Sequence, residues 1–463
     1  MTDRTKPSSE VLPELERAIE RIWELANGFG LDPFPVHFEL VPAAIMYEFG
    51  AHGLPGRFAH WTHGRAYHQM KTMYDYGLQK IYELVINANP AYAFLLESNT
   101  VLQNKLVAAH VLGHSDCFKH NAYFSVTSRR MLETVGADAE RFRGYEFVHG
   151  APAVERLLDA VLSIEEYAGT HQFIRRNAPE PVKKAAPTTT AVEPAGRYED
   201  LFQFERRRLD RADKPAVTEP EEDLLRFIVE QAPDLADWER DIVASVRAEA
   251  LYFQPQALTK VLNEGWAVFW HSRILRELDL SDAEYAEYAQ LNAGVLAGQR
   301  MQLNPYLLGV KLLEDIERRF DKGGGEGRAK VFEVREQESD VSLIRNYLTR
   351  DLVEELDLYT YALQHGQWVI VEKDWERVRE HLVAELAERG RPAIVVVSAD
   401  YGGRRELHLR HLFRGAELDT ARTEKTLRQV YHLWRRPVHL ETVQGNRSVL
   451  MTYDGQKSLT RAI

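Results

Sequence analysis

The stretch Ala109-His110-Val111-Leu112-Gly113-His114, answered far downstream by Asn263-Glu264-Gly265-Trp266-Ala267, governs the reading of this chain. Residues four apart on a helix share a face, so His110 and His114 point the same way, as a metal site requires. The second stretch offers the carboxylate of Glu264 as a third ligand. His271 follows seven residues later, on the same helical face. Zinc peptidases with this arrangement place Glu directly after the first histidine, as the general base that activates water. Here that place holds Val111. The pattern suggests a metal pocket and argues against ordinary peptidase chemistry.

Spacing alone is weak evidence, because 17 histidines in 463 residues give about 0.6 such pairs by chance. Two further features strengthen it. The pair lies in an apolar segment (Leu106, Val107, Ala108, Ala109, Val111, Leu112), where unpaired imidazoles cost free energy. Gly113 inside a helix is unfavourable by roughly 1 kcal/mol against Ala, which hints at close approach by another group. Two readings stay open: Zn²⁺ held by His110, His114 and Glu264, with water or His271 in fourth place, or hydrogen-bonded core histidines without metal. Ligation by His271 closes the site and makes it structural. A water there leaves a Lewis acid that generates hydroxide near neutral pH.

A hydrolase with Val111 in the usual place of the base must recruit another. The candidates are Glu83, Glu97, Asp116 and His271, each of which also fits a role in capping, ion pairing or supporting a ligand. Tyr306, in the turn Asn304-Pro305-Tyr306, either polarises a substrate carbonyl or anchors the turn. The histidines His52, His60, His63 and His68 suit a substrate groove or second metal site less well than solvated or aromatic-packed positions on the surface. Cys117 is expected to be a small buried hydrophobe rather than a thiolate ligand. The glycines of Lys322 to Gly327 lack the Lys-Ser/Thr of a phosphate loop.

Composition sets wider bounds. A net charge of -12 gives no electrostatic footprint for a nucleic-acid backbone. One cysteine excludes an intrachain disulfide and fits a reducing compartment. The polar start, Met1 to Lys6, has no signal-peptide core, and no apolar run reaches the roughly 18 residues of a membrane span. The expectation is a cytoplasmic protein.

Periodicity predicts helices over Val11 to Ala26, Ala66 to about Ala88, Ser98 or Thr100 to beyond His114, Trp238 to Tyr252 and Gln256 to Leu278. Residues 31 to 64, rich in Pro, Gly and aromatics, read as an irregular packed loop. After Leu356 come β-like runs (Leu358 to Leu363, Trp368 to Val371, Ala393 to Val397, Leu407 to Phe413, Ser448 to Tyr453). Helices near Asp374 to Glu388 and Thr420 to Leu433 interleave with them. The expected class is α+β: a mainly helical, zincin-like N-terminal body with a small α+β C-terminal domain. The expected divisions are a helical domain over 1–175 and a Pro/Ala/Thr-rich linker over 176–220. A second helical domain over 221–355, packed on the first, and the α+β domain over 356–463 follow.

Several strings carry a family resemblance: Gly53-Leu54-Pro55-Gly56-Arg57-Phe58-Ala59-His60-Trp61, Tyr82 to Pro90, and Gln103 to His114 with Phe118-Lys119-His120-Asn121. Tyr252-Phe253-Gln254-Pro255-Gln256, Asn263 to His271 and Asn304-Pro305-Tyr306 complete them. Together they resemble the stage V sporulation protein R (SpoVR-like) family of bacteria, over nearly the whole chain. The resemblance implies a regulatory or scaffold role in spore cortex formation or, in species that make no spores, in the cell envelope. It also implies partners: an AAA+ type serine protein kinase and a von Willebrand factor A-like protein. It brings no established catalytic activity. A metal-dependent hydrolase of peptide or amide bonds is the alternative. The Glu264-Gly265-Trp266-Ala267 signature is similar to that of certain zinc peptidases, where the Glu is the third ligand, and this supports His110, His114 and Glu264 by analogy.

Overall fold

A computed structural model describes residues 8–76, 83–169, 221–298, 302–364 and 366–463, with side chains from Leu12 onward. The expected linker over 176–220, and Tyr82, lie outside the described residues. In chain order the elements begin with α1 (Ser8–Phe29), β1 (Val36–Val41), α2 (Ala43–His52), α3 (Trp61–Asp75), β2 (Glu83–Ile86), β3 (Ala91–Leu96) and α4 (Val101–His120). Helices α5 (Met131–His149), α6 (Ala151–Leu162), α7 (Leu224–Gln231), α8 (Asp237–Leu258), α9 (Lys260–Glu277) and α10 (Asp282–Val295) follow. Then come α11 (Pro305–Phe320), α12 (Glu326–Gln337), α13 (Asp340–Tyr347), α14 (Arg350–Glu355), β4 (Thr360–Gln364), β5 (Gln367–Glu372) and α15 (Trp375–Glu388). The chain ends in β6 (Ile394–Tyr401), β7 (Glu406–His411), α16 (Thr420–Trp434), β8 (Val438–Gln444), β9 (Arg447–Tyr453) and β10 (Ser458–Ala462). The class is mixed α+β and mainly helical.

Two compact units emerge, each made of two chain segments. The first comprises residues 1–144 and 252–390, the second residues 145–251 and 391–463. These boundaries differ from the expected divisions at 175, 220 and 355. The β4–β5 hairpin and α15 belong to the first unit, because Val378, Leu382 and Val383 of α15 join the same apolar core as α4, α9 and α11. Residues 145–169 and 221–251 belong instead with the C-terminal strands, where Glu221 bridges to Val396.

Helix α4 is the axis of the first unit. Thr100 accepts a hydrogen bond from the Gln103 amide while the Gln103 side chain accepts one from the Thr100 amide, a reciprocal cap that starts the helix. Its apolar residues run around every face, and such a helix must be enclosed. It packs against α1, α9, α10 and the sheet. Buried polar groups on it are paired: Lys105 Nζ lies 2.7 Å from Glu284. Asp116 accepts from the Asp32 amide at 2.8 Å and from Trp266 Nε1 at 3.0 Å. Helix α9 starts on a carboxylate, with the Val261 and Leu262 amides donating to Asp340 at 2.9 Å each.

The close approach foreshadowed by Gly113 is real. A Cβ there would stand 2.8 Å from Ala267 Cα, so α4 and α9 touch backbone to backbone. On its other side α9 meets α11 through Gly265 and Gly309, where a Cβ on Gly265 would stand 2.4 Å from Gly309 Cα. The small residues of the Asn263 to Ala267 signature are thus the contact surfaces that hold Glu264 in place.

Two expectations are corrected. Residues 31–64 hold β1 and α2 rather than an irregular loop. Val36 to Val41 alternates inward and outward between Pro35 and Pro42, and it pairs in parallel with β3. The helix expected over Ala66 to Ala88 ends at Asp75, and Glu83 to Ile86 is a strand antiparallel to β3. The apolar run Leu84-Val85-Ile86 fits either element by periodicity, and the partner strand decides it. The resulting sheet has the order β1-β3-β2, which leaves β2 at an edge.

In the second unit a five-stranded sheet has the order β10-β9-β8-β7-β6. Strands β7 and β8 are parallel, joined by α16, and the other neighbours are antiparallel. Strands β8 and β10 had no counterpart among the expected β-like runs.

Candidate metal centre

Four electron-rich side chains converge in the first unit. His110 Nε2 lies 3.5 Å from Glu83 Oε1 and 3.6 Å from Glu264 Oε2. His114 Nε2 lies 3.7 Å and 3.5 Å from the same two oxygens. Two ligands of tetrahedral zinc at about 2.1 Å stand about 3.4 Å apart, close to each of these separations. Among the described residues, Glu83, His110 and His114 form the group of potential ligands whose donor atoms lie within 4.8 Å of one another.

The far ring nitrogens are occupied. His114 Nδ1 lies 3.0 Å from Asn263 Oδ1, a carbonyl oxygen that can only accept. His110 Nδ1 lies 2.8 Å from His271 Nδ1, and His271 Nε2 faces Asn292 Oδ1 at 3.4 Å. Burial keeps the His271 imidazolium well below its ordinary range, so His271 is neutral. Donation from its Nε2 to Asn292 leaves His271 Nδ1 as the acceptor for His110 Nδ1–H. Both site histidines then carry their proton on Nδ1 and turn Nε2 lone pairs toward two carboxylates.

Lone pairs facing carboxylates repel unless a cation stands between them. The inward oxygen Glu264 Oε2 is buried without a hydrogen-bond partner. Without a metal, a proton supplies the charge: burial opposes protonation of His114, but hydrogen bonding to Glu83 and the charges of Glu264 and Glu83 push its pKa up to about 9. Burial raises the Glu264 carboxyl, yet the imidazoles of His110 and His114 beside it leave it below its usual range. Two imidazoles and the Glu264 carboxylate, with the Glu83 carboxylate beside them, fit a divalent cation of the zinc type.

The positions anticipated from sequence divide clearly. The structure brings Nε2 of both His110 and His114 within 3.6 Å of Glu264 Oε2. His271 stands behind His110, with its Nδ1 2.8 Å from His110 Nδ1, on the ring edge away from the carboxylates. Glu83 takes the place next to the histidines. Asp116 is consumed by Asp32, Trp266 and, at 3.5 Å, Arg335. Glu97 is exposed after β3 and does not line the site. Tyr306 flanks the site with its ring 6.2 Å from that of His110, while Asn304 caps α11. Burial and the charges of Glu264 and Glu83 raise its phenol, so it stays a hydrogen-bond donor. Asn263 lay inside the quoted signature, but its role depends on the crossing of α4 and α9; no sequence signal marked Asn292.

Cys117 is fully buried, and desolvation pushes its thiol up, as expected of an inert hydrophobe. His63 packs against His52 at 4.9 Å and Phe58 at 5.6 Å, and His60 bonds Thr62 Oγ1 at 2.7 Å, while His68 is exposed. The cage opens into a cavity of 1290 Å³ bordered by Glu83, Leu84, Gln103, Gln256, Lys260 and Tyr306, among others.

The chain is thus a mainly helical α+β protein that encloses a paired His/Glu cage. Family models place it further: a SpoVR-like protein model matches residues 9–391 and a SpoVR-like C-terminal domain matches residues 392–445. The chain belongs to the SpoVR-like family, which is sporulation-related. It is similar to uncharacterized protein YcgB of Escherichia coli (strain K12), 27% identical over 474 residues, covering 94% of this chain and 93% of that one. No solved structure matches. Among the described residues no helix is long and apolar enough to cross a membrane.

Proposed function

We propose that this chain is a metalloprotein of spore-cortex or cell-envelope assembly, with a zincin-like body whose cage binds Zn²⁺ for hydrolysis of an amide bond. The observation that carries the reading is the convergence of two imidazole lone pairs and two carboxylates, with Glu264 Oε2 buried and unpartnered. A bound Zn²⁺ supplies Lewis acidity and lowers the pKa of water.

The remaining work falls to the chain's own residues. His110, His114 and Glu264 hold the cation. Glu83, facing the same histidines from β2, accepts the proton that Val111 has no group to take. Water adds to the amide carbonyl carbon, its proton passes to Glu83 and then to the leaving nitrogen as the C–N bond breaks. Tyr306 donates a hydrogen bond into the cavity, toward the carbonyl oxygen where charge develops. The opening of the cage into 1290 Å³ favours hydrolysis over a purely regulatory site, since structural zinc sites are closed. The serine protein kinase and the von Willebrand factor A-like protein stand as proposed partners on the family resemblance, to be tested by co-purification.

Elemental analysis of the purified chain tests the site. One zinc per chain, lost in His110→Ala with the fold intact, supports it. Folded wild-type protein that stays metal-free after zinc supplementation overturns it.

A further inference from the structure

We propose that the substrate is an extended peptide, bound as an additional strand on the outer edge of β2; this rests on the hydrolytic reading above. The strand lies at the end of the order β1-β3-β2, and among the described residues no strand pairs with its outer side. Its backbone N–H and C=O groups on that side are therefore a template for another chain.

The cavity lies along that edge. Successive side chains of a strand point to opposite faces of the sheet. Val85 packs with Val107 and Val111 on the α4 side. Leu84 packs with Met46, Tyr252 and Phe253 on the other. Yet Glu83, Leu84 and Val85 all border the one cavity. The cavity is bordered from both faces, by Leu84 and Phe253 on one and by Val85 and Val107 on the other, so it follows the rim of the sheet.

The same strand brings Glu83 to the cage. A chain paired with β2 would run about 4.8 Å from its backbone, over a length of about 13 Å, and pass the metal position at the Glu83 end. Gln103, Gln256 and Gln290 also line the space. Their amides both donate and accept, which suits a peptide backbone and does not select a charged ligand. Recognition through main-chain groups predicts tolerance of side-chain sequence, with length and extended conformation as the requirements.

The test uses the full chain after chelation, so that peptides stay intact, and a mixture of random-sequence decapeptides. A second mixture carries an N-methyl group on every residue, which removes the donors from both edges of a strand. Saturating unmodified peptide should slow amide exchange at Glu83 to Ile86 by about tenfold or more, and N-methylated peptide should not. No slowing by either mixture, or equal slowing by both, overturns the proposal. Zinc content measured before chelation separates the two readings. Protein with one zinc and an unprotected β2 loses the peptide proposal alone, whereas zinc-free protein with a protected β2 loses the metal site and keeps the peptide groove.

Discussion

His110 and His114 each divide their two ring nitrogens between a hydrogen-bond partner and the cage, and this division sets what they can do. His114 has its pKa raised above the ordinary 6.5, to about 9, by Glu83 and Glu264 against the opposing effect of burial. In the metal-free chain its stabilising contribution is therefore complete below pH 6.5 and disappears as pH rises through 9. A cation at Nε2 takes the place of that proton. Zinc binding at pH 7 should release about one proton per chain from His114, read as the dependence of the calorimetric heat on buffer ionisation enthalpy. Binding without proton release would show that His114 is no ligand. The far nitrogens make a second prediction. Asn263→Ala removes the acceptor of His114 Nδ1–H and should weaken zinc binding by about 10- to 100-fold while the fold survives. Unchanged affinity would mean that the tautomer is set by other means.

At the scale of elements, the site exists because α9 is squeezed between two other helices. Gly265→Ala drives a methyl group into the backbone of Gly309, and Gly113→Ala drives one against Ala267. Neither neighbour can yield as a flexible side chain would, so each change should cost at least about 1–3 kcal/mol in denaturant unfolding and lower zinc occupancy by displacing Glu264. Gly64→Ala is the control: it lies in α3 with nothing within 4 Å of the added carbon, and should be neutral or stabilising by up to about 1 kcal/mol. If Gly265→Ala unfolds like the control, the packing account of the signature is wrong. These contacts also mark what was legible in the sequence. Helix α4, the Gly113 contact and the His110/His114/Glu264 trio follow from local spacing and composition. Glu83 could be named as a candidate but not placed, because Leu84-Val85-Ile86 suits helix or strand until β3 is beside it. Whether His271 reaches the cage is left open by the sequence, because seven residues fix a face shared with Glu264 but not which part of the partner helix that face meets.

For the whole molecule, the two compact units give the metal a local reach. The cage draws on β2, α4 and α9, all within residues 1–144 and 252–390. A ligand that binds the folded state at a thousand times its dissociation constant stabilises it by about 4 kcal/mol, and that stabilisation acts on the unit whose unfolding would release the ligand. The C-terminal sheet β6 to β10, with α16 packed on β8 and β9, contributes nothing to the cage. Chelation of zinc should therefore speed amide exchange in α4, α9 and β2 while leaving β7 and β8 unchanged, as followed by peptide-resolved hydrogen exchange. His110→Ala should reproduce the chelated pattern without chelator. Equal acceleration in β7 and β8 would show that the units unfold as one, and the division into two cooperative parts would fall. Acceleration confined to β7 and β8 would place the bound metal in the second unit, where His408 meets Glu441 at 3.0 Å and His439 meets Glu406 at 2.8 Å, and would remove it from the His110 cage.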